Sequence, residues 1–188
     1  EMNTRLQVEH PVSEMVSRVD LVSQQFEVAQ GNNISNLDFK LNGHAIELRV
    51  IAEKVEIDEN GELLFVPDPG YVTEVYFPEK SNVRVIQTIT SGSIVSPFYD
   101  SLVAQIVCWG RSRSDAITRL LDYLKRVEIH GVSTNLALNR AILKDASFKK
   151  GSFSTGFLAD LFKRIDSQKL LSEAFNDSGE LRKSVDKK

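Results

Sequence analysis

One cysteine, Cys108, stands among 188 residues, so no intrachain disulfide can staple this fold. It sits in the apolar run Leu102-Val103-Ala104-Gln105-Ile106-Val107-Cys108-Trp109, which makes it a buried thiol and suits a reducing compartment. The three histidines, His10, His44 and His130, are far apart and lack zinc-type spacing with Cys108, which argues against a His/Cys metal centre. Ten glycines are scattered at turns. None forms a glycine-rich phosphate loop of the P-loop or dinucleotide type, so the chain cannot cradle a triphosphate unaided. No apolar run approaches the ~20 residues needed to span a bilayer, and no signal-peptide pattern opens the chain. An excess of one charge is also missing. With 23 basic and 26 acidic residues the net charge is −3, which gives no general affinity for nucleic acid. The length is that of one domain able to bury a real core, and there is no internal repeat.

What is present begins at the first residue. The run Glu1-Met2-Asn3-Thr4-Arg5-Leu6-Gln7-Val8-Glu9-His10-Pro11 alternates, so as a strand it puts Glu1, Asn3, Arg5, Gln7 and Glu9 on one face. Pattern alone equally fits a half-solvated amphipathic strand. At about 3.3 Å per residue, Glu1 and Glu9 would lie about 26 Å apart in a straight strand. Either the chain bends or there are two adjacent subsites. Arg5 and Glu9 would be about 13 Å apart, too far for a simple same-face ion pair.

Downstream, Pro11 suits the first turn of a short helix over Val12–Arg18, and Asp20 is placed to cap a helix over Leu21–Gln30 that ends at Gly31. Leu21, Val22, Gln25, Phe26 and Ala29 make a stripe expected to pack on a sheet. The polar stretch 31–40 reads as a domain boundary. From Gly43 the period becomes that of strands: His44–Ala52, Leu63–Val66, Tyr71–Phe77, Val83–Ile89 and Leu102–Cys108, expected as a meandering, largely antiparallel sheet. Asn60-Gly61 reads as a tight hairpin turn and Pro67-Asp68-Pro69-Gly70 as a sharp bend. Ser114 is expected to cap a helix over Asp115–Val127, with further helices over about 134–143 and 155–165. Residues 166–175 extend or follow the last of these, and the polar stretch beginning at Asn176 gives way over 177–188 to a tail expected to be disordered.

Several of these stretches together carry a resemblance. Glu1 to Glu14, Gly43-His44-Ala45-Ile46-Glu47-Leu48-Arg49, Pro97-Phe98-Tyr99-Asp100-Ser101, Gly131-Val132-Ser133-Thr134-Asn135 and Phe148 through Leu158 resemble, in order and spacing, the biotin carboxylase component of biotin-dependent carboxylases. The alpha chains of acetyl- and propionyl-CoA carboxylase are of this kind. The fold this implies is α+β: a largely antiparallel sheet with packed helices over 41–165, preceded over 1–40 by a remnant of an ATP-grasp domain and followed over 166–188 by a helical extension and tail. Because the chain opens inside an active-site segment, it reads as a piece of a longer protein.

In that family bicarbonate and MgATP form carboxyphosphate, whose CO2 is attached to the ureido nitrogen of biotin. The resemblance makes Glu1 and Asn3 ligands of Mg or Mn, consistent with hard oxygen donors. Arg5, Gln7 and the backbone N–H of Val8 hold bicarbonate, a planar anion suited to a guanidinium fork. Glu9 is the general base toward bicarbonate. Arg49 faces biotin and stabilises charge developing on its ureido oxygen, although by pattern Glu47 and Arg49 also read as a surface ion pair. Asp100 orients an arginine or caps the turn after Pro97.

Two positions depart from the family pattern. Lys54 follows Ala52-Glu53 where an aspartate is usual, and Gln105 replaces a lysine expected after Asp100-Ser101. Both bear on the biotin pocket. No Met-Lys-Met attachment site is present, so biotin comes from a separate carrier domain or chain. A carboxyltransferase that recognises the acceptor and a second copy in a homodimer are the other implied partners. Nucleic acid and membrane are not, and the expected location is the cytoplasm, or the mitochondrial matrix in a eukaryote. The alternatives are a non-catalytic dimerisation or scaffold module, and part of another ATP-grasp ligase such as carbamoyl-phosphate synthase.

Overall fold

The structure, a computed structural model, describes residues 2–60 and 62–178. Pro11 lies in the first turn of α1 (His10–Ser17), where its missing N–H costs nothing. That helix ends at Arg18, whose left-handed backbone turns the chain. Asp20 accepts from the Ser23 N–H and starts α2 (Leu21–Ala29). Strands follow: β1 (His44–Ile51), β2 (Glu53–Ile57), β3 (Leu63–Pro67), β4 (Gly70–Tyr71), β5 (Glu74–Tyr76), β6 (Val83–Gln87), β7 (Ile94–Val95) and β8 (Leu102–Gly110). Then come α3 (Arg113–Leu124), β9 (Glu128–His130), α4 (Leu136–Lys144), α5 (Ala146–Lys150), α6 (Phe157–Phe162) and α7 (Ser167–Ser178).

The longest apolar run becomes the central strand. β8 lies between β1 and β6 in a three-stranded antiparallel sheet, with Ile46 opposite Cys108, Leu48 opposite Ile106 and Arg49 opposite Gln105. Side-chain alternation then separates the two faces. Ile46, Leu48, Val50, Ala104, Ile106 and Cys108 join Ala116, Ile117 and Leu120 of α3 in the main core. Each fully buried aliphatic side chain there contributes roughly 1.5–3 kcal/mol. Gly110 closes β8 so near Ala116 that a Cβ would strike the α3 backbone, which explains a glycine at this crossing. Glu47, Arg49, Gln105 and Val107 point to the opposite face, and there α1 lies against β1 and β8. Burial pushes the Cys108 thiol up to about 11, in keeping with the inert buried thiol expected.

The α+β, antiparallel class holds, but the sheet is not a meander. β1 pairs with β8 across more than fifty residues, and the rest form two-stranded ladders β2–β3, β4–β7 and β5–β9. The expected strand over Tyr71–Phe77 is two short strands, because the Val72 N–H goes to Ser93 and the Thr73 N–H to His130. β2, β7, β9 and α5 were not anticipated. At the β2–β3 hairpin, Asp58 accepts from the N–H groups of Asn60 and Glu62. The cap of α3 is Ser112, not Ser114: Ser112 has extended backbone and accepts from the Asp115 N–H. α2 does not pack its stripe on the sheet. None of its residues is buried and Phe26 is 65% exposed, since α1 occupies the sheet face instead. At the far end α7 continues through Asn176 and Asp177, docking Leu170 and Ala174 against Val55 and Ala137. The Asp177 carboxylate meets Arg140 at 2.6 Å. The remainder of the expected disordered tail, 179–188, lies outside the described residues.

Candidate active site

Residues 2–9 are not a strand. Without a neighbouring strand to take its backbone groups, the segment bends. The carbonyl of Gln7 accepts from the His10 N–H at 3.2 Å and from His10 Nδ1 at 2.7 Å, folding the chain into α1. The segment therefore bends before α1; the spacing of Glu1 from Glu9 involves a residue outside the described ones. Arg5, Gln7 and Glu9 consequently line one cleft of about 720 Å³, floored by His10 and Ser13 of α1 and walled by α2 residues including Leu21, Gln25 and Val28. This gives the exposed side of α2 a place at the cleft.

Glu9 connects the cleft to the sheet. Its carboxylate accepts from Arg49 at 2.9 Å, and Arg49 Nε lies 3.9 Å from Glu47. Arg49 and Glu9 are each about half exposed. Such a pair contributes about 0–1 kcal/mol, and its exposure leaves both charges within reach of a ligand. Arg5 is exposed, with an N–H to the Leu6 carbonyl at 3.3 Å. Asn3 is exposed on the same segment, and Glu1 lies outside the described residues. The Val8 carbonyl accepts from Gln105 Nε2 at 2.7 Å.

Beneath Arg49, the sheet is pinned by residues to which no role was assigned from sequence. Asn135 accepts from the Ile51 N–H at 3.0 Å and donates to the Arg49 carbonyl at 3.1 Å; Asn139 donates to the same carbonyl at 3.3 Å. The backbone N–H of Asn135 also donates to the Ile51 carbonyl. Asn135 stands at the N-cap of α4 without capping it, because its side chain is spent on β1. Its place in the Gly131–Asn135 motif was visible, but its partner 86 residues away was not.

Glu47 departs from the surface pair expected of it. Its side chain is 6% exposed, one oxygen accepts from Gln105 at 3.2 Å and the other has no partner. Burial raises its pKa, with Gln105 and Arg49 opposing. Asp100 accepts from the Leu102 N–H and so serves the local turn. Lys54 pairs with Glu56 at 2.8 Å on β2. Separately, the β5–β9 ladder brings the ligand atoms of Glu74, Glu128 and His130 within 4.8 Å of one another, a cross-strand grouping that sequence spacing does not reveal.

Residues 47–160 match the family model of the biotin carboxylase C-terminal domain. The chain belongs to that family. Residues 1–37 match the carbamoyl-phosphate synthase L chain ATP binding domain, so an ATP-grasp-related segment precedes the biotin carboxylase C-terminal domain. Biotin carboxylase 2 of Bacillus subtilis is 39% identical over 160 residues, 84% of this chain and 34% of its own length. The biotin carboxylase of Haemophilus influenzae is 40% identical over 160 residues, again 84% of this chain and 34% of that protein. The chain thus spans about a third of the curated relatives it matches.

Among solved structures, the biotin carboxylase domain dimer of Hydrogenobacter thermophilus 2-oxoglutarate carboxylase, in complex with MgADP, ADP and bicarbonate, superposes with a TM-score of 0.77 at 36% identity. The match covers 88% of this chain and 36% of that one. Biotin carboxylase from Campylobacter jejuni, bound to a β,γ-ATP ligand, gives 0.78 at 36% identity over 85% of this chain and 34% of that one. Among the described residues, no helix is long and apolar enough to cross a membrane.

Proposed function

We propose that this chain is the C-terminal portion of a biotin carboxylase, which uses MgATP and bicarbonate to carboxylate biotin held on a separate carrier domain or chain. The observation that carries this reading is the Glu9–Arg49 contact at 2.9 Å. It joins a segment bearing bicarbonate-type ligands to a strand of the C-terminal domain. Residues 1–40 are then the end of the ATP-grasp domain, 41–165 the C-terminal domain and 166–188 an extension. A homodimer and a carboxyltransferase complete the assembly.

Each residue has a task that its position suits. Arg5 and Gln7, on one wall of the cleft, hold bicarbonate with a guanidinium fork and an amide, and the Val8 N–H adds a backbone donor. Glu9, between the cleft and Arg49, takes the bicarbonate proton. Arg49, half exposed and anchored from below by Asn135 and Asn139, offers its charge to the ureido oxygen of biotin as negative charge develops there. Asn3 supplies a hard amide oxygen on the exposed segment, and with Glu1 would hold the Mg or Mn ion of the nucleotide. That ion, when bound, neutralises phosphate charge.

Bicarbonate-dependent ATP cleavage by the full-length enzyme tests the reading. The wild-type enzyme cleaves ATP only with bicarbonate present, and Glu9→Gln lowers that rate by about two orders of magnitude or more, the scale of a positioned base. Near-normal turnover by Glu9→Gln removes Glu9 from the mechanism.

A further inference from the structure

Gln105 is on the central strand, directly opposite Arg49 and diagonal to Glu47, on the face covered by α1. Its single NH2 group makes two bonds: 2.7 Å to the Val8 carbonyl and 3.2 Å to Glu47 Oε1. The Val8 carbonyl has no hydrogen to give, so the amide turns its NH2 group toward it, and the same group reaches Glu47 Oε1. Beneath it, the Glu47 carboxyl is nearly fully buried, with Oε2 unpartnered. A buried carboxylate with an open oxygen is costly to keep for packing alone. Here it fixes the amide that holds the loop.

We propose that Gln105, seated on Glu47, is a positioning residue that sets the place of the Val8 carbonyl and so registers Gln7 and Glu9 against Arg49 for the bicarbonate step. This assignment rests on the biotin carboxylase reading of the same segment. Gln105 touches neither the cleft nor the reacting atoms; it acts through the backbone between two residues that do line the cleft. Without the strut the segment keeps the bonds that its Gln7 and Glu9 carbonyls accept from α1 and the Glu9–Arg49 ion pair; of these the contact that reaches β1 is an exposed pair, a weak tether.

The groups facing Glu47 define how the site responds to pH. Arg49 lies on its own strand, Gln105 on β8, and Glu9 and His10 come from the segment leading into α1. Glu14 of α1 and Arg84 of β6 share this face but are paired with each other at 2.5 Å. Gln105→Glu would therefore set two carboxyl groups against each other and against the Val8 carbonyl. Only a shared proton restores the donor, so this variant recovers as pH falls.

The test uses the full-length enzyme with Gln105→Met, which keeps volume and removes both donors, and with Gln105→Glu. Steady-state ATP cleavage gives the KM for the bicarbonate ion and kcat. Amide hydrogen exchange of His10 and Val12, which donate to the Gln7 and Glu9 carbonyls, reports the order of the segment without turnover. Gln105→Met should raise the bicarbonate KM about tenfold with a smaller change in kcat, the consequence of misplaced ligands. It should also speed exchange at His10 and Val12. Gln105→Glu should resemble it at pH 8.5 and approach wild type at pH 6.5, each compared with wild type at the same pH. Unchanged KM in Gln105→Met overturns the positioning role, whether or not exchange speeds up, and so does unchanged exchange. If the wild-type enzyme shows no bicarbonate-dependent cleavage, the functional reading has failed instead, and the exchange comparison still decides whether Gln105 holds the segment.

Discussion

Replacing Asn135 by alanine removes the support under Arg49, and its cost can be worked from the contacts. The Ile51 N–H loses its acceptor at 3.0 Å, while the Arg49 carbonyl loses a donor at 3.1 Å but keeps Asn139 at 3.3 Å. An orphaned, partly buried N–H costs about 1–3 kcal/mol. Removing a nearly buried side chain leaves a small void, so the total for Asn135→Ala is about 2–4 kcal/mol. At roughly 2–4 °C per kcal/mol for a chain of this size, Tm falls by about 4–16 °C. Asn139→Ala is the comparison. It removes the weaker donor to a carbonyl still served by Asn135, and the 3.3 Å bond to Asn135 Oδ1, but leaves the Ile51 N–H its acceptor, and with the void of an equally buried side chain it should cost about 1–2 kcal/mol. Urea unfolding of the 188-residue chain followed by tryptophan fluorescence, through Trp109 on β8, measures both. A shift below about 0.5 kcal/mol for Asn135→Ala, or equal shifts for the two variants, would refute the assignment of Asn135 as the pin of the Arg49 backbone.

The isolated chain should unfold cooperatively through its 43–165 core but show no saturable binding of MgATP with bicarbonate by calorimetry, because it spans about a third of its relatives and lacks a phosphate-cradling loop. Micromolar binding by this chain alone would place the nucleotide site largely within it. Alkaline stability should fall in a defined window. The Cys108 thiol is raised from 9.0 to about 11 and the Tyr123 hydroxyl from 10.0 to about 12, both mainly by burial. The unfolded chain therefore releases these protons first, and the folded state loses stability as pH rises from about 9 to 12. Cys108→Ala should flatten the part of the slope between about pH 9 and 11, and an unchanged slope there would show that Cys108 does not contribute.

The sequence was most legible where local chemistry decides structure. Asp20 as a cap, Pro11 in a first turn and the apolar run at 102–109 behave as their residue types require. Whether the opening segment bends was left open by the sequence: period-two alternation describes side-chain faces, whereas a strand needs a partner that the described residues do not supply. α2 misled in the same way, since a stripe shows that a face is apolar but not what covers it. Long-range partners were hidden altogether. The site motifs could be read as a set, yet Arg49 meeting Glu9, Asn135 crossing to β1 and Gln105 reaching Val8 join residues 40, 86 and 97 apart. Glu47 shows the limit most clearly, because Glu-X-Arg on a strand suggests a surface pair while the sheet buries the glutamate under α1.

On the proposed function, Glu9 and Arg49 divide the labour of biotin carboxylation, Glu9 toward bicarbonate and Arg49 toward biotin. The most direct measurement compares two rates in full-length Arg49→Ala: bicarbonate-dependent ATP cleavage, and transfer of labelled bicarbonate carbon to biotin. If Arg49 stabilises charge on the ureido oxygen, biotin carboxylation falls by about 10²–10³-fold, while ATP cleavage falls far less. Equal loss of both rates would contradict the division and leave Arg49 as the structural partner of Glu9 and Glu47.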